Sequence, residues 1–288
     1  MTRIGIVGGG RGATLHAEAA RAVRGVDLVG VGGRDPGTAT ELAAAVGVPD
    51  LAIPALIATA DALVVAVPPA AVDRVVERIP DDMPLLVECP SDAVADRTAA
   101  VAAINLLHAP VVTKGLAEIA RLGHVHHLVL RGSGPRPDWG DHGSAAWGGG
   151  VVIDPHASTL PVLFAAAGAP ADATKAELDG PPGLEHRARL TFRLPDDRQA
   201  TAELAWDSTP ATAEIEAASD RGVVTLRLLP VPELEIDGRV ALRDEAPGLG
   251  PLGFLRQMER FAGVVRGDRS PWPPAAVGAS IRHLTDAD

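Results

Sequence analysis

The chain has 288 residues, 47% of them apolar, which suffices for two domains of ordinary size with sizeable cores. A formal charge of −11 disfavours a nucleic-acid role, which needs a basic face to neutralise phosphates, and no apolar run approaches the roughly 18 residues that would signal a membrane span. A single cysteine, Cys89, excludes an intramolecular disulfide framework; with a first strand that leaves no room for a signal peptide, it predicts a cytoplasmic protein. Only two of the 26 basic residues are lysines, Lys114 and Lys175. Together with abundant Ala, Gly, Pro and Arg, that is the composition of a GC-rich bacterial genome and carries no functional weight.

Thr2 to Val7 reads as a short buried strand, and Ala13 to Val23 as a helix with Leu15, Ala19 and Val23 on one face. Between them lies a G-x-G-x-x-A turn on Gly8, Gly10 and Ala13. Gly8 permits the tight turn, Gly10 lets the backbone approach a pyrophosphate, and small Ala13 allows close helix–strand packing while the helix N-terminus faces the anion. Alternation then continues: strand Asp27 to Gly32, helix Thr38 to Val46, strand Asp61 to Val67, helix Ala71 to Ile79, strand Pro84 to Glu88. Such alternation predicts a parallel sheet covered by helices on both faces. Val67-Pro68-Pro69 and Cys89-Pro90 put loops at the carboxyl edge, where ligands of these sheets sit. In a NAD-type site an acidic residue stands about 20 residues past the glycine turn. Here the count reaches Gly33, followed by Arg34, whose guanidinium suits a 2′-phosphate. NADP(H) is favoured over NAD(H), unless the strand ends later and Asp35 takes the acidic role, with Arg34 a solvated turn residue.

From about Pro110 the periodicity changes. His186 to Leu194 alternates strictly, with Ala188, Leu190, Phe192 and Leu194 on one face, as in a half-solvated antiparallel strand. Ala200 to Trp206, Ala211 to Ala217 and Val223 to Leu229 follow as strands, with turns at Pro195-Asp196-Asp197 and Asp220-Arg221-Gly222. Trp206 on an exposed sheet suggests contact with a second copy. Phe254 to Val265 reads as a late helix. His124 and His126 on one strand face with His127 on the other, and no Cys or carboxylate nearby, make a poor metal set.

Taken in order, the glycine turn, Asp61-Ala-Leu-Val-Val-Ala-Val-Pro-Pro69, Val87-Glu88-Cys89-Pro90, Gly148-Gly149-Gly150-Val-Val-Ile-Asp154 and Asp220-Arg221-Gly222 resemble the Gfo/Idh/MocA family of nicotinamide-dependent oxidoreductases. The resemblance implies an α/β chain: a Rossmann domain with a doubly wound parallel sheet over residues 1–110, then an α+β domain with a large, mostly antiparallel open sheet over 111–288. It also implies a homodimer or homotetramer, and hydride transfer between nicotinamide and a small carbonyl, imine or sugar- or cyclitol-like metabolite. The dinucleotide would be held by Gly8, Gly10, Arg11, Gly12, Ala13, Gly33, Arg34, Val67, Pro68, Glu88 and Pro90; no metal is expected.

Departures from the family pattern concern proton transfer. Cys89 stands where the family has the lysine of Glu-Lys-Pro, and an uncharged thiol is a poor donor to an alkoxide. It is either a catalytic group, a space-filler, or a neighbour of the nicotinamide that leaves the proton to the substrate, to water or to another side chain. In the family's Asp-x-x-x-His pair, Asp154 is kept and Ser158 takes the His place. His156 reaches the cleft only if Pro155 restarts the helix after an Asp154 cap, and is otherwise structural. His108, in Asn105-Leu-Leu-His-Ala-Pro110, is a substitute acid or a packing residue. Asn105, Trp147 and Ser158 are substrate-side candidates, Trp147 lying in a glycine-rich loop with Asp138 to His142. An alternative is a non-catalytic dinucleotide-binding sensor of the same fold.

Overall fold

The computed structural model describes residues 1–33, 36–88, 97–137, 150–152, 158–168, 173–194 and 197–268. They form two compact units: Met1–Ile104 with the segment that begins at Phe254, and Asn105–Gly253.

The first unit opens with β1 (Thr2–Val7) and α1 (Arg11–Ala22), followed by β2 (Val26–Gly32), α2 (Pro36–Val46), α3 (Ile53–Thr59), β3 (Ala62–Val65), α4 (Val72–Val76), β4 (Leu85–Val87) and β5 (Ala100–Ala102). The five strands pair in parallel in the order β2-β1-β3-β4-β5. β3 and β4 are buried at every position, because a parallel sheet covered on both faces has no solvated side to alternate towards. The predicted strand Asp61 to Val67 is trimmed at both ends, to Ala62–Val65; just before it Asp61 accepts from the Arg3 amide at 2.8 Å and from its guanidinium at 2.6 Å. Those bonds hold the Asp61 carboxyl below the usual carboxylate range. The predicted helix Ala71 to Ile79 is shorter, a 3-10 turn over Pro69–Ala71 leading into α4. α3 has no counterpart in the sequence reading; its seven residues are too few to show a helical period, and Leu56 alone is buried.

The second unit starts with a 3-10 turn over Asn105–His108 and α5 (Pro110–Arg121), then β6 (His127–Ser133), α6 (Leu160–Ala167), β7 (Ala173–Asp179), β8 (Arg187–Arg193), β9 (Gln199–Ala205), β10 (Thr212–Ser219), β11 (Gly222–Leu229), β12 (Glu233–Ile236) and β13 (Arg239–Arg243). The eight strands lie in the order β13-β12-β11-β10-β6-β9-β8-β7, antiparallel except for β6 against β9. Inward residues alternate as expected; Ala188, Leu190, Phe192 and Leu194 are all buried. α5 packs on β11 and β12, and α6 on β6 and β9, with Phe164 of α6 edge-on to Phe192 at 5.2 Å. Trp206 belongs to this buried set rather than to an exposed face, being only 9% exposed, and the Arg136 guanidinium lies 5.5 Å from its ring.

On the opposite face, one row of residues crosses all eight strands in register: Arg243, Glu233, Arg227, Glu214, Arg131, Glu203, Arg189, Glu177. The signs alternate at every step. Glu203 lies 3.8 Å from Arg131 and 3.7 Å from Arg189, Glu214 lies 3.9 Å from Arg131 and 3.7 Å from Arg227, and Glu233 is paired with both Arg227 and Arg243.

After β13 the chain reaches α7 (Phe254–Val265), whose bounds coincide with the expected late helix. It groups with the first unit and packs against α1, although the sequence reading gave all of 111–288 to the second domain. Phe254, Gln257, Met258 and Phe261 form its buried stripe.

Candidate functional site

The carboxyl edge of the parallel sheet brings four loops together in the first unit. β1 lies between β2 and β3; the chain leaves it towards β2 on one side and returns to β3 on the other, so the ends of β1 and β3 border a topological switch point. Backbone bonds carry the register one residue past the strands: Gly8 N–H to Gly32 O at 2.8 Å, Ala66 N–H to Val7 O at 2.9 Å, and Glu88 N–H to Val65 O at 2.9 Å. Gly8, Gly33 and Glu88 thus follow directly on the ends of β1, β2 and β4, and Val67-Pro68 follows β3 after Ala66.

Two glycines in the turn serve different ends. Gly8 has φ +136°, and a Cβ there would overlap the Ala66 carbonyl oxygen, so the fold itself demands glycine. Gly10 has an extended φ of −83°, and a Cβ there would meet nothing within 4 Å. It is the N-cap of α1, with no side chain capping the helix and no acidic residue in the first turn. The first N–H groups of α1 have no intrahelical partner, and the open side at Gly10 is the kind of cradle a pyrophosphate needs. Ala13 is fully buried beneath the turn. Arg11 is exposed in the first turn, and among the described residues no carboxylate pairs with it. The residues present therefore fit a dinucleotide.

The buried stripe of α1 is Ala13, His16, Ala17, Ala19 and Ala20, whereas Leu15, expected to face inward, is half-buried. His16 was missed by the sequence reading. Its Nε2 donates to Glu88 Oε2, and its ring meets Phe254 edge-on at 5.4 Å. The i, i+3, i+4, i+7 spacing of 13, 16, 17 and 20 is the signal that would have shown it.

The catalytic candidates are less fully placed. Cys89, Pro90, Arg34, Asp35, Trp147, Asp154 and His156 lie outside the described residues, as do Gly148 and Gly149 and the segment Asp138 to His142. His108 closes its 3-10 turn in the second unit and is 3% exposed. Asn105 spends its amide nitrogen on Leu252 O at 2.8 Å, bracing the end of that unit. Ser158 is half-buried just ahead of α6. A further buried carboxylate was not foreseen: Glu185, 3% exposed, accepts from Gly183 N–H at 2.7 Å through Oε1, while its carbonyl accepts from Val151 N–H at 2.8 Å. It pins the turn Gly150–Val152, two residues ahead of Asp154 in sequence.

The histidines at 124–127 do not alternate along one strand. β6 begins only at His127, which pairs with Glu216 at 3.0 Å, and His124 and His126 precede it. Among the described residues no three His, Cys, Asp or Glu side chains gather as metal ligands would, and no helix is long and apolar enough to cross a membrane.

Residues 3–89 match a family model described as NADP oxidoreductase, coenzyme F420-dependent. No curated protein matches the chain. Among solved structures, GenD2 from gentamicin A biosynthesis, in complex with NAD, is 22% identical with a TM-score of 0.84, over 99% of this chain and 93% of that one. A candidate myo-inositol dehydrogenase from Sinorhizobium meliloti is 19% identical with a TM-score of 0.82, over 100% and 96%. The UDP-N-acetylglucosamine 3-dehydrogenase GnnA from Acidithiobacillus ferrooxidans is 16% identical with a TM-score of 0.78, over 99% and 95%. At these identities the likeness is one of fold: a parallel-sheet unit followed by a large, mostly antiparallel sheet, shared with these structures.

Proposed function

We propose that the chain is an NAD(P)-dependent oxidoreductase of the Gfo/Idh/MocA family, acting on a small carbonyl, imine or sugar- or cyclitol-like metabolite. The observation that carries this reading is the Gly8–Ala13 turn at the switch point, with an uncapped helix N-terminus and open space at Gly10. The family model over residues 3–89 and the dehydrogenases that share the fold support it. Gly8, Gly10, Arg11, Gly12, Ala13, Gly33, Val67, Pro68 and Glu88 would hold the dinucleotide, with Arg34 and Pro90. When bound, the nicotinamide supplies or accepts the hydride.

NADP(H) is the favoured form. β2 ends at Gly32, so the first residue past it is Gly33, without a carboxylate to repel a 2′-phosphate, and Arg34 comes next. The chain's own part in the chemistry is to orient the substrate and route one proton. Cys89 offers no cation for that task, and the burial of His108 favours its packing role over an acid role. Asp154 and His156 remain the catalytic candidates for that proton, with water or an already protonated imine as the other source. The open face of the eight-stranded sheet suits a second copy of the chain.

Fluorescence titration with NADPH and NADH, repeated on Arg34→Ala, tests the reading. The expected result is tighter binding of NADPH, lost selectively by about tenfold in R34A, as for removal of a charge-assisted contact. Hydride transfer to a panel of carbonyls and imines, followed by nicotinamide absorbance, then identifies the substrate. Binding of neither nucleotide would overturn both the cofactor and the enzyme assignment.

A further inference from the structure

We propose that His16 is a positioning residue for the dinucleotide, acting through the Glu88 carboxylate; the inference rests on the reading of the Gly8–Ala13 turn given above. The His16 side chain is 0% exposed on the inner stripe of α1, whereas the Glu88 side chain is 29% exposed at the end of β4. Their bond therefore joins the interior of the first unit to its carboxyl edge. Nε2 of His16 donates to Oε2 of Glu88, which places a proton on Nε2. The other carboxylate oxygen, Oε1, stands 3.5 Å from where a Cβ would be at Gly12, in the first turn of α1. Among the described residues no second side-chain donor reaches this carboxylate.

The surroundings of His16 argue that this bond is its purpose. The rest of the buried stripe is alanine, and the imidazole leaves Nδ1 buried with no hydrogen-bond partner, which costs stability that an apolar residue would not. The edge contact with Phe254, at 5.4 Å and 74°, fixes the ring plane. With its Oε2 held from inside by a charge-assisted bond, Glu88 loses the rotamer freedom that a half-exposed glutamate otherwise has. A carboxylate only accepts, so the oriented Oε1 would take a hydroxyl or amide donor, groups the dinucleotide carries on its riboses and carboxamide. Gly12 leaves room beside it: even a Cβ there would stand only in ordinary van der Waals contact with the oxygen.

The test is a double-mutant cycle on nucleotide affinity, using His16→Leu, His16→Gln, Glu88→Gln and the H16L/E88Q pair, read by the same fluorescence titration. H16L removes the donor and keeps the bulk; H16Q keeps an N–H at similar reach. The expected result is a Kd raised roughly tenfold in H16L and in E88Q, rescue to within about twofold in H16Q, and no additional loss when H16L is added to E88Q. A merely structural histidine would give additive losses and no rescue. Wild-type binding that H16L and E88Q leave unchanged overturns this inference alone, as does a loss in H16L that persists undiminished in the E88Q background. The E88Q arm is independent of any folding defect in H16L. A wild-type chain that binds neither nucleotide overturns the underlying reading and this inference with it.

Discussion

Gly8 and Gly10, two residues apart in one turn, answer to different forces, and substitution separates them. Gly8→Ala puts a Cβ into the Ala66 carbonyl at a φ that L side chains rarely adopt, so a loss of at least about 1–3 kcal/mol of stability is expected, read by urea denaturation. Gly10→Ala meets open space at an ordinary φ and should cost the fold less than about 1 kcal/mol. Its effect should instead fall on nucleotide binding, because the methyl group occupies the space left for the ligand backbone. Equal destabilisation by both substitutions would show that Gly10 serves the fold as well. The sequence pattern pointed to both glycines, but it did not distinguish which neighbour required each; that depends on Ala66, 58 residues further on, paired beside Val7.

The elements of the second unit were readable wherever one face is solvated. β8 shows strict alternation because its outward residues meet water and its inward ones meet α6 and the neighbouring strands. The same alternation hid a second pattern. Arg131, Glu203 and Arg189 stand on separate strands, and only the pairing register aligns them into the alternating row. Glu203→Gln leaves Arg131 and Arg189 facing each other across β9. A loss of about 0.5–1 kcal/mol in urea denaturation at low salt is expected, shrinking at high salt as the guanidinium repulsion is screened. A loss that is insensitive to salt would assign the effect to packing rather than to the row. α7 shows the complementary limit: its period was clear in sequence, but its partner was not, and it packs on α1 rather than within the unit that precedes it.

For the whole molecule, the row has a consequence for assembly. Its four arginines and four glutamates cancel, so within a chain of formal charge −11 this face is locally balanced and can meet a copy of itself without net repulsion. Light scattering after size exclusion is expected to give at least twice the mass of a single chain, and a strict monomer would count against the homodimer or homotetramer. The buried Trp206 removes the aromatic first invoked for that contact, and the argument passes to the charged face. Composition, the glycine spacing and the change of periodicity near Pro110 determined by themselves a Rossmann-type unit followed by a mostly antiparallel sheet. Each is a local consequence of which side chains face water and which backbone positions tolerate only glycine. Tertiary structure alone decided that His16 meets Glu88, that α7 joins α1 and that eight charges form one line, because each joins residues distant in sequence whose meeting depends on strand order and helix packing.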